Sequence, residues 1–297
     1  MQAMQLEQQQ QGSAAGVQQQ HWEDDDRALK LAHRYAERDL AYQLNYTYEC
    51  HNTYHWQVLQ DENMTSTAAR SPFIIQCYGA GVVSCPNAEQ LPCMLMELAK
   101  MGSLSAHVYG GSRKGLPGAE AQQLMKGIVR GLASLHVNAF RFHRDLKCGN
   151  ILLAGMPGNL VPKVSDFGSC APTTMPTQVT APMTPAFRAP EQQHGMFQDQ
   201  RLDTFLLALL WLEMRFGFLP FAYHGHTVYT VNFPPLQPSQ YLGELSNPYS
   251  LYNLDDPATG RTRLTGEEKE FLVMCLAPDV AVRYPVSTLL ATSTYLA

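Results

Sequence analysis

Apolar positions recur along this chain with two different periods. Between Ala119 and His136, the residues Leu124, Ile128, Leu132 and Leu135 form one stripe, and that spacing predicts a helix. From Asp203 onward the run FLLALLWL is apolar on nearly every face, which predicts a central, buried helix beginning at Asp203. Residues 267–276 and 285–290 predict two terminal helices. Shorter apolar runs bounded by turn residues predict strands. SPFIIQCYGAGVVS, from Ser71, reads as strand with a glycine-marked turn. LPCMLMEL reads as a second strand ending at Glu97, so the two form a hairpin of buried strands. The Gly/Ser break AKMGSL follows, and Ser103 is placed to cap a helix. Residues 150–153 and 160–164 are strand candidates on either side of the turn GMPGN.

Other stretches carry weaker patterns. Residues 28–62 are legible in two ways: ALKLA reads as a short strand carrying Lys30, while Leu29, Ala32, Ala36, Leu40 and Leu44 also share one helical face. Tyr35, Tyr42, Tyr46, Tyr48, Tyr54 and Trp56 read as an ordinary packing surface. Residues 1–20 hold nine glutamines and almost no β-branched residue, as expected of a disordered low-complexity tail. A short acidic stretch, Glu23 to Asp26, comes next. Residues 169–190 are rich in Thr, Pro and Ala without a period and read as an extended loop, and residues 220–262 read as a long irregular insert.

Composition narrows the classes. The chain of 297 residues is 45% hydrophobic, enough for a sizeable core. Its formal charge of -5 argues against a general nucleic-acid binder, which would carry a basic excess. The seven cysteines are scattered without a CxxC pair, so they are expected to be reduced thiols, in a cytoplasmic or nuclear setting. The start lacks a basic segment followed by an apolar one, so no signal peptide is expected. The most apolar run, Phe205 to Leu212, is far short of the ~20 residues that span a bilayer, so no membrane partner is expected.

The densest chemistry lies in His143 to Gly168, HRDLKCGNILLAGMPGNLVPKVSDFG. Asp145, Lys147, Asn150 and Asp166 give two acids, a cation and an amide at close spacing. Such a set can hold a metal-bound polyphosphate and aim a hydroxyl at it. HRDLKxxN followed by DFG resembles the catalytic and metal-binding loops of eukaryotic protein kinases. TPAFRAPE, from Thr184 to Glu191, resembles the peptide-positioning loop and Ala-Pro-Glu motif of that family. There the glutamate pairs with a late arginine, best matched by Arg283, and Asp203 matches an aspartate that braces the catalytic loop. The resemblance runs from about Ser71 to the C-terminal end.

The resemblance implies an α+β, two-lobed kinase fold: a small β-rich N-lobe, about residues 21–98, and a larger α-helical C-lobe, about 103–297. It implies an ATP- and Mg²⁺-dependent transfer of phosphate to protein substrates, at serine or threonine because of Lys147 and Thr184. Asp145 would be the base, Lys147 would neutralise the transferring group, and Asn150 and Asp166 would hold metal. Met96, Glu97, Ala99, Ser103 and Leu152 would lie about adenine. Arg144, beside Asp145, resembles kinases switched on by an upstream kinase, with Thr173, Thr174, Thr177 and Thr180 as candidate acceptors.

The N-terminal part departs from the family pattern. The only glycines before residue 79 are Gly12 and Gly16, which do not make GxGxxG. Lys30, in RALK, is the sole lysine before Lys100 and matches the family's strand lysine; the alternative is a helix-surface lysine. Glu62 matches its helix-glutamate partner, 32 residues later, with polar Ser66 one turn on where the family prefers an apolar residue. Met183 and Ala208 stand where the family often has glycine. A pseudokinase that binds without transferring phosphate is the alternative the missing glycine loop favours. A small-molecule phosphotransferase is disfavoured by TPAFRAPE, and a chain beginning after its phosphate loop is a further alternative.

Overall fold

Strands β1 (Arg27–Leu31), β2 (Cys77–Ser84) and β3 (Gln90–Glu97) form an antiparallel sheet in the order β1-β3-β2. They belong to a computed structural model that describes residues 27–31, 48–84, 90–110, 115–174, 189–193, 197–217, 264–277 and 279–297. The described residues fall into two compact units. The first takes residues up to Asn63 together with Gln76–Leu98, and the second takes Met64–Ile75 and everything from Ala99 on. Met64–Ile75, inside the span expected for the first lobe, therefore goes with the second unit.

In the first unit, β3 is central. Its Met94 and Met96, two residues apart and so on one face, are buried. Of the two readings of ALKLA the strand is adopted, with Lys30 opposite Met94. The glycine-marked turn expected after Ser71 is not formed. Gly79 and Gly81 lie within β2, paired with Leu95 and Cys93, and the irregularity is a register shift between Cys77 and Gly79. Helix α1 (Tyr48–Ala69) begins in this unit and carries Leu59 and Glu62 buried on it.

The second unit is mainly helical. α2 (Leu104–Tyr109) is capped by Ser103, whose Oγ accepts from the Ala106 amide at 3.1 Å. α3 (Gly118–Asn138) buries the expected stripe, Leu124, Ile128, Leu132 and Leu135. α5 (Arg201–Phe216) follows the short α4 (Pro190–Gln193), and almost every α5 side chain is buried, as its all-round apolarity requires. α6 (Gly266–Cys275) opens on a capping box between Thr265 and Glu268, and α7 (Val286–Thr292) follows. Tyr295 closes the core, accepting from Trp211 Nε1 at 2.8 Å.

Short strands complete this unit. β4 (Arg141–Phe142) pairs with β7 (Ala171–Pro172), and β5 (Ile151–Met156) pairs with β6 (Asn159–Val164) through the predicted turn, where Gly158 takes a left-handed φ of 85°. Residues 71–75 lie against this hairpin, with the Val164 amide donating to Phe73 O at 2.8 Å and the Ile75 amide to Val164 O at 2.9 Å. α3 admits Phe73 because it carries glycine there: a Cβ at Gly131 would sit 2.8 Å from Phe73 O. The tail, the whole insert and the residues from 175 to 188 lie outside the described residues, and so do the tyrosines at 35, 42 and 46.

Candidate active site

The loop after β4 doubles back sharply, and its backbone is held by a side chain from below. Arg144 takes a φ of 73°, a left-handed conformation uncommon for a residue with a side chain. Asp203, fully buried at the start of α5, accepts from the His143 amide at 2.7 Å and the Arg144 amide at 2.8 Å. His136 Nε2 lies 2.7 Å from the same carboxylate. Burial alone would push the Asp203 carboxyl up; the hydrogen bond and charge of His136 and the bond from the Arg144 amide outweigh it and hold the group below its ordinary range. His143 Nδ1 accepts from the Asp145 amide at 3.3 Å, so its Nε2 is the donor to Ser165 O at 2.9 Å.

Three predicted residues meet on this loop. Lys147 Nζ donates to Asp145 Oδ2 at 2.7 Å, and Asn150 Nδ2 donates to the same oxygen at 3.1 Å and to Asp145 O at 2.7 Å. Asp145 is buried and Lys147 half-buried, so the pair is only partly screened by water. Asn150 spends its amide nitrogen on Asp145, and its Oδ1 takes no part in those bonds. A second tie comes from Ser165, whose amide and hydroxyl both donate to Asn150 O at 2.9 Å. Asp166 follows directly, exposed and left-handed at φ 66° and ψ 71°. Phe167 is buried and meets the His143 ring edge-on at 5.9 Å. Asp145, Lys147 and Asn150, together with Ser165 just ahead of Asp166, are thus tied into one hydrogen-bond network within the second unit.

The donor set fits a hard divalent cation. Asn150 Oδ1 and the Asp166 carboxylate are oxygen donors, and Mg²⁺ bound with phosphates takes only one or two carboxylates. Among the described residues no group of three or more His, Cys, Asp or Glu is gathered as a metal cage.

Around this core, Arg144 Nε donates to Ser169 O. Burial lowers the Arg144 pKa, with Cys170 and Asp203 pulling the other way. Thr173 is tied through its amide to Phe140 O at 2.9 Å. Thr177, Thr180, Met183 and Thr184 lie outside the described residues. Glu191, at the start of α4, meets Arg283 through two parallel bonds of 2.6 and 3.1 Å, both side chains fully buried.

The remaining expected residues are placed as follows. Glu62 is buried on α1, and Ser66, one turn on, donates its hydroxyl to Ile75 O at 2.5 Å. Met96 is buried and Glu97 half-buried at the end of β3, where the Glu97 amide donates to Gln76 O at 2.8 Å. In the second unit, Ala99 O accepts from the Gly102 amide at 3.0 Å, and Ser103 bridges Leu152 in antiparallel fashion.

Sequence reasoning missed Glu213. Its carboxylate accepts from the Cys148 amide and from the Tyr109 hydroxyl, each at 2.9 Å. Burial pushes the Glu213 carboxyl up, against the bonds from Cys148 and Tyr109 and the charge of Lys147. Its signal was present: after Asp203 it is the one acid in an otherwise apolar helix, and a buried acid needs partners.

Comparison with known proteins agrees with this geometry. The family model described as the protein kinase domain matches residues 29–294. Mitogen-activated protein kinase kinase kinase 18 of Arabidopsis thaliana is 30% identical over 79% of this chain and 65% of its own length. Mitogen-activated protein kinase kinase kinase 20 of the same plant is 26% identical, over 77% of this chain and 63% of its own. Serine/threonine-protein kinase CLA4 of Candida albicans is 30% identical over 66% of this chain and 18% of its own. The chain therefore spans somewhat under two thirds of the two plant relatives.

Proposed function

Because the chain belongs to the protein kinase domain family, with its two-lobed α+β fold, we propose that it is a serine/threonine kinase that transfers the γ-phosphate of ATP to hydroxyls of protein substrates. The observation that carries this is the Asp145–Lys147–Asn150 network, in which the Lys147 ammonium and the Asn150 amide nitrogen both donate to Asp145 Oδ2. Asp145 orients the substrate hydroxyl and accepts its proton as the oxygen attacks phosphorus. Lys147, held beside it, neutralises charge on the transferring group. Asn150 Oδ1 and Asp166 would hold Mg²⁺, which when bound with ATP neutralises the phosphate oxygens. His143 and Asp203 keep the loop backbone in place and touch no reactant. The nucleotide candidates are Lys30, Glu62, Met96, Glu97, Ala99, Ser103 and Leu152. Arg144 would pair with a phosphate placed by an upstream kinase on Thr173, Thr174, Thr177 or Thr180.

The test is incubation with labelled ATP, Mg²⁺ and a basic protein acceptor, followed by phosphoamino-acid analysis. Label on serine and threonine is expected; no transfer to any acceptor overturns the reading. A second reading, a binding module without transfer, is favoured by one observation: no GxGxxG precedes Lys30. Under it the chain transfers nothing, while stability is still raised by whatever it binds.

A further inference from the structure

The loop that carries Asp145 and Lys147 is held at both ends by one helix. Asp203 takes the amides of His143 and Arg144 before Asp145, and Glu213, ten residues along α5 and so about 15 Å away, takes the amide of Cys148 just after Lys147. The Lys147–Cys148 peptide plane is gripped on both edges. Its N–H donates to Glu213 Oε2 at 2.9 Å, and its C=O accepts from the Asn150 amide at 3.0 Å. Lys147 is extended there, at φ -161° and ψ 163°. Releasing that peptide would free ψ of Lys147 and φ of Cys148, and with them the path of the backbone from which the Lys147 side chain reaches Asp145. The carboxylate is itself fixed by the Tyr109 hydroxyl on Oε1, donated from the last residue of α2. Glu213 is buried, whereas Tyr109 as a residue is 39% exposed.

We propose that Tyr109 and Glu213 form a positioning pair that sets the orientation of the Lys147–Cys148 peptide, and through it the placement of Lys147 against Asp145. The pair touches no reactant; it acts on the rate of transfer and leaves nucleotide affinity alone. This rests on the kinase reading for its consequence in catalysis, but its structural core does not.

The experiment uses the full chain with Tyr109→Phe, Glu213→Gln and Glu213→Leu. Amide hydrogen exchange at Cys148 is followed by NMR, and kcat and KM for ATP are measured in parallel. Tyr109→Phe removes only a hydroxyl from a partly exposed residue and should fold normally. It is expected to speed exchange at Cys148 and to lower kcat about threefold with KM for ATP unchanged. Glu213→Leu, where it folds, lowers kcat at least about tenfold, and Glu213→Gln, whose carbonyl still accepts from Cys148, recovers part of that. Unchanged exchange at Cys148 in Tyr109→Phe overturns the proposal, and so does faster exchange with kcat intact. If the wild-type chain transfers no phosphate at all, it is the kinase reading that falls, and exchange at Cys148 alone then decides whether the pair positions the loop.

Discussion

A carboxylate sealed from water is costly unless its lone pairs are filled, and Asp203 fills its own with two loop amides and His136. Asp203→Asn puts an NH₂ where an oxygen now accepts, so a loss of about 3–5 kcal/mol is expected in urea unfolding at neutral pH. The pH dependence has a definite sign. The folded pKa of Asp203 is depressed, so its contribution is present above the unfolded value of about 3.9 and is lost as pH falls through the folded value. The stability gap between wild type and Asp203→Asn should therefore be widest near neutrality and narrow below about pH 4; a gap constant with pH would contradict the assignment. Asp203, like Asp145, Lys147, Asn150 and Asp166, is legible in the sequence because its identity and spacing match a motif. Glu213 shows in the sequence only as an acid in an apolar helix, and Tyr109 and His136 not at all, because the pairings of the three span 65, 104 and 67 residues and are set only by packing.

Among the elements, α3 and α5 are legible from the apolar stripe and the all-round apolar run, whereas α1 is signalled only by the match of Glu62 to the family's helix glutamate, because YECHNTYHWQVLQDENMTSTAA is polar with no stripe. Gly79 and Gly81 suggest a turn by residue type, yet pairing to β3 overrides that preference. Gly131 is a glycine whose reason is packing. Alanine there would gain up to about 1 kcal/mol of helix propensity but drive a Cβ to 2.8 Å from the Phe73 backbone oxygen. Gly131→Ala is expected to destabilise by about 1–3 kcal/mol. Gly266→Ala, with nothing within 4 Å of the new Cβ, should leave stability unchanged or raise it slightly. Denaturant midpoints of the two variants give the comparison. Ser66, polar where an apolar residue was expected, is accommodated because its hydroxyl is satisfied by Ile75 O; Ser66→Ala should cost about 1 kcal/mol.

Over the whole molecule, the fold class is legible because HRDLKxxN, DFG, APE and the late arginine occur in one order, and the structure joins the last two. Glu191 and Arg283, 92 residues apart, form a fully buried pair, with the guanidinium also 4.9 Å from the Phe205 ring centre and donating to Ala277 O at 2.8 Å. Arg283→Lys keeps the charge but loses the fork and the stacking, and should lower unfolding free energy by about 3 kcal/mol or more in the same assay. Less legible is the first unit. There β1 settles the secondary structure around Lys30, and Glu62 is buried, but no glycine loop is written ahead of them. The central claim, that this chain transfers phosphate with Asp145 as base, is tested most directly by one comparison: initial rates of labelled phosphate transfer to a protein acceptor by wild type and Asp145→Asn, at saturating Mg²⁺ and ATP. Measurable transfer is expected from wild type, with a rate at least about a hundredfold lower for Asp145→Asn and its thermal midpoint preserved; equal rates for the two would overturn the role of Asp145.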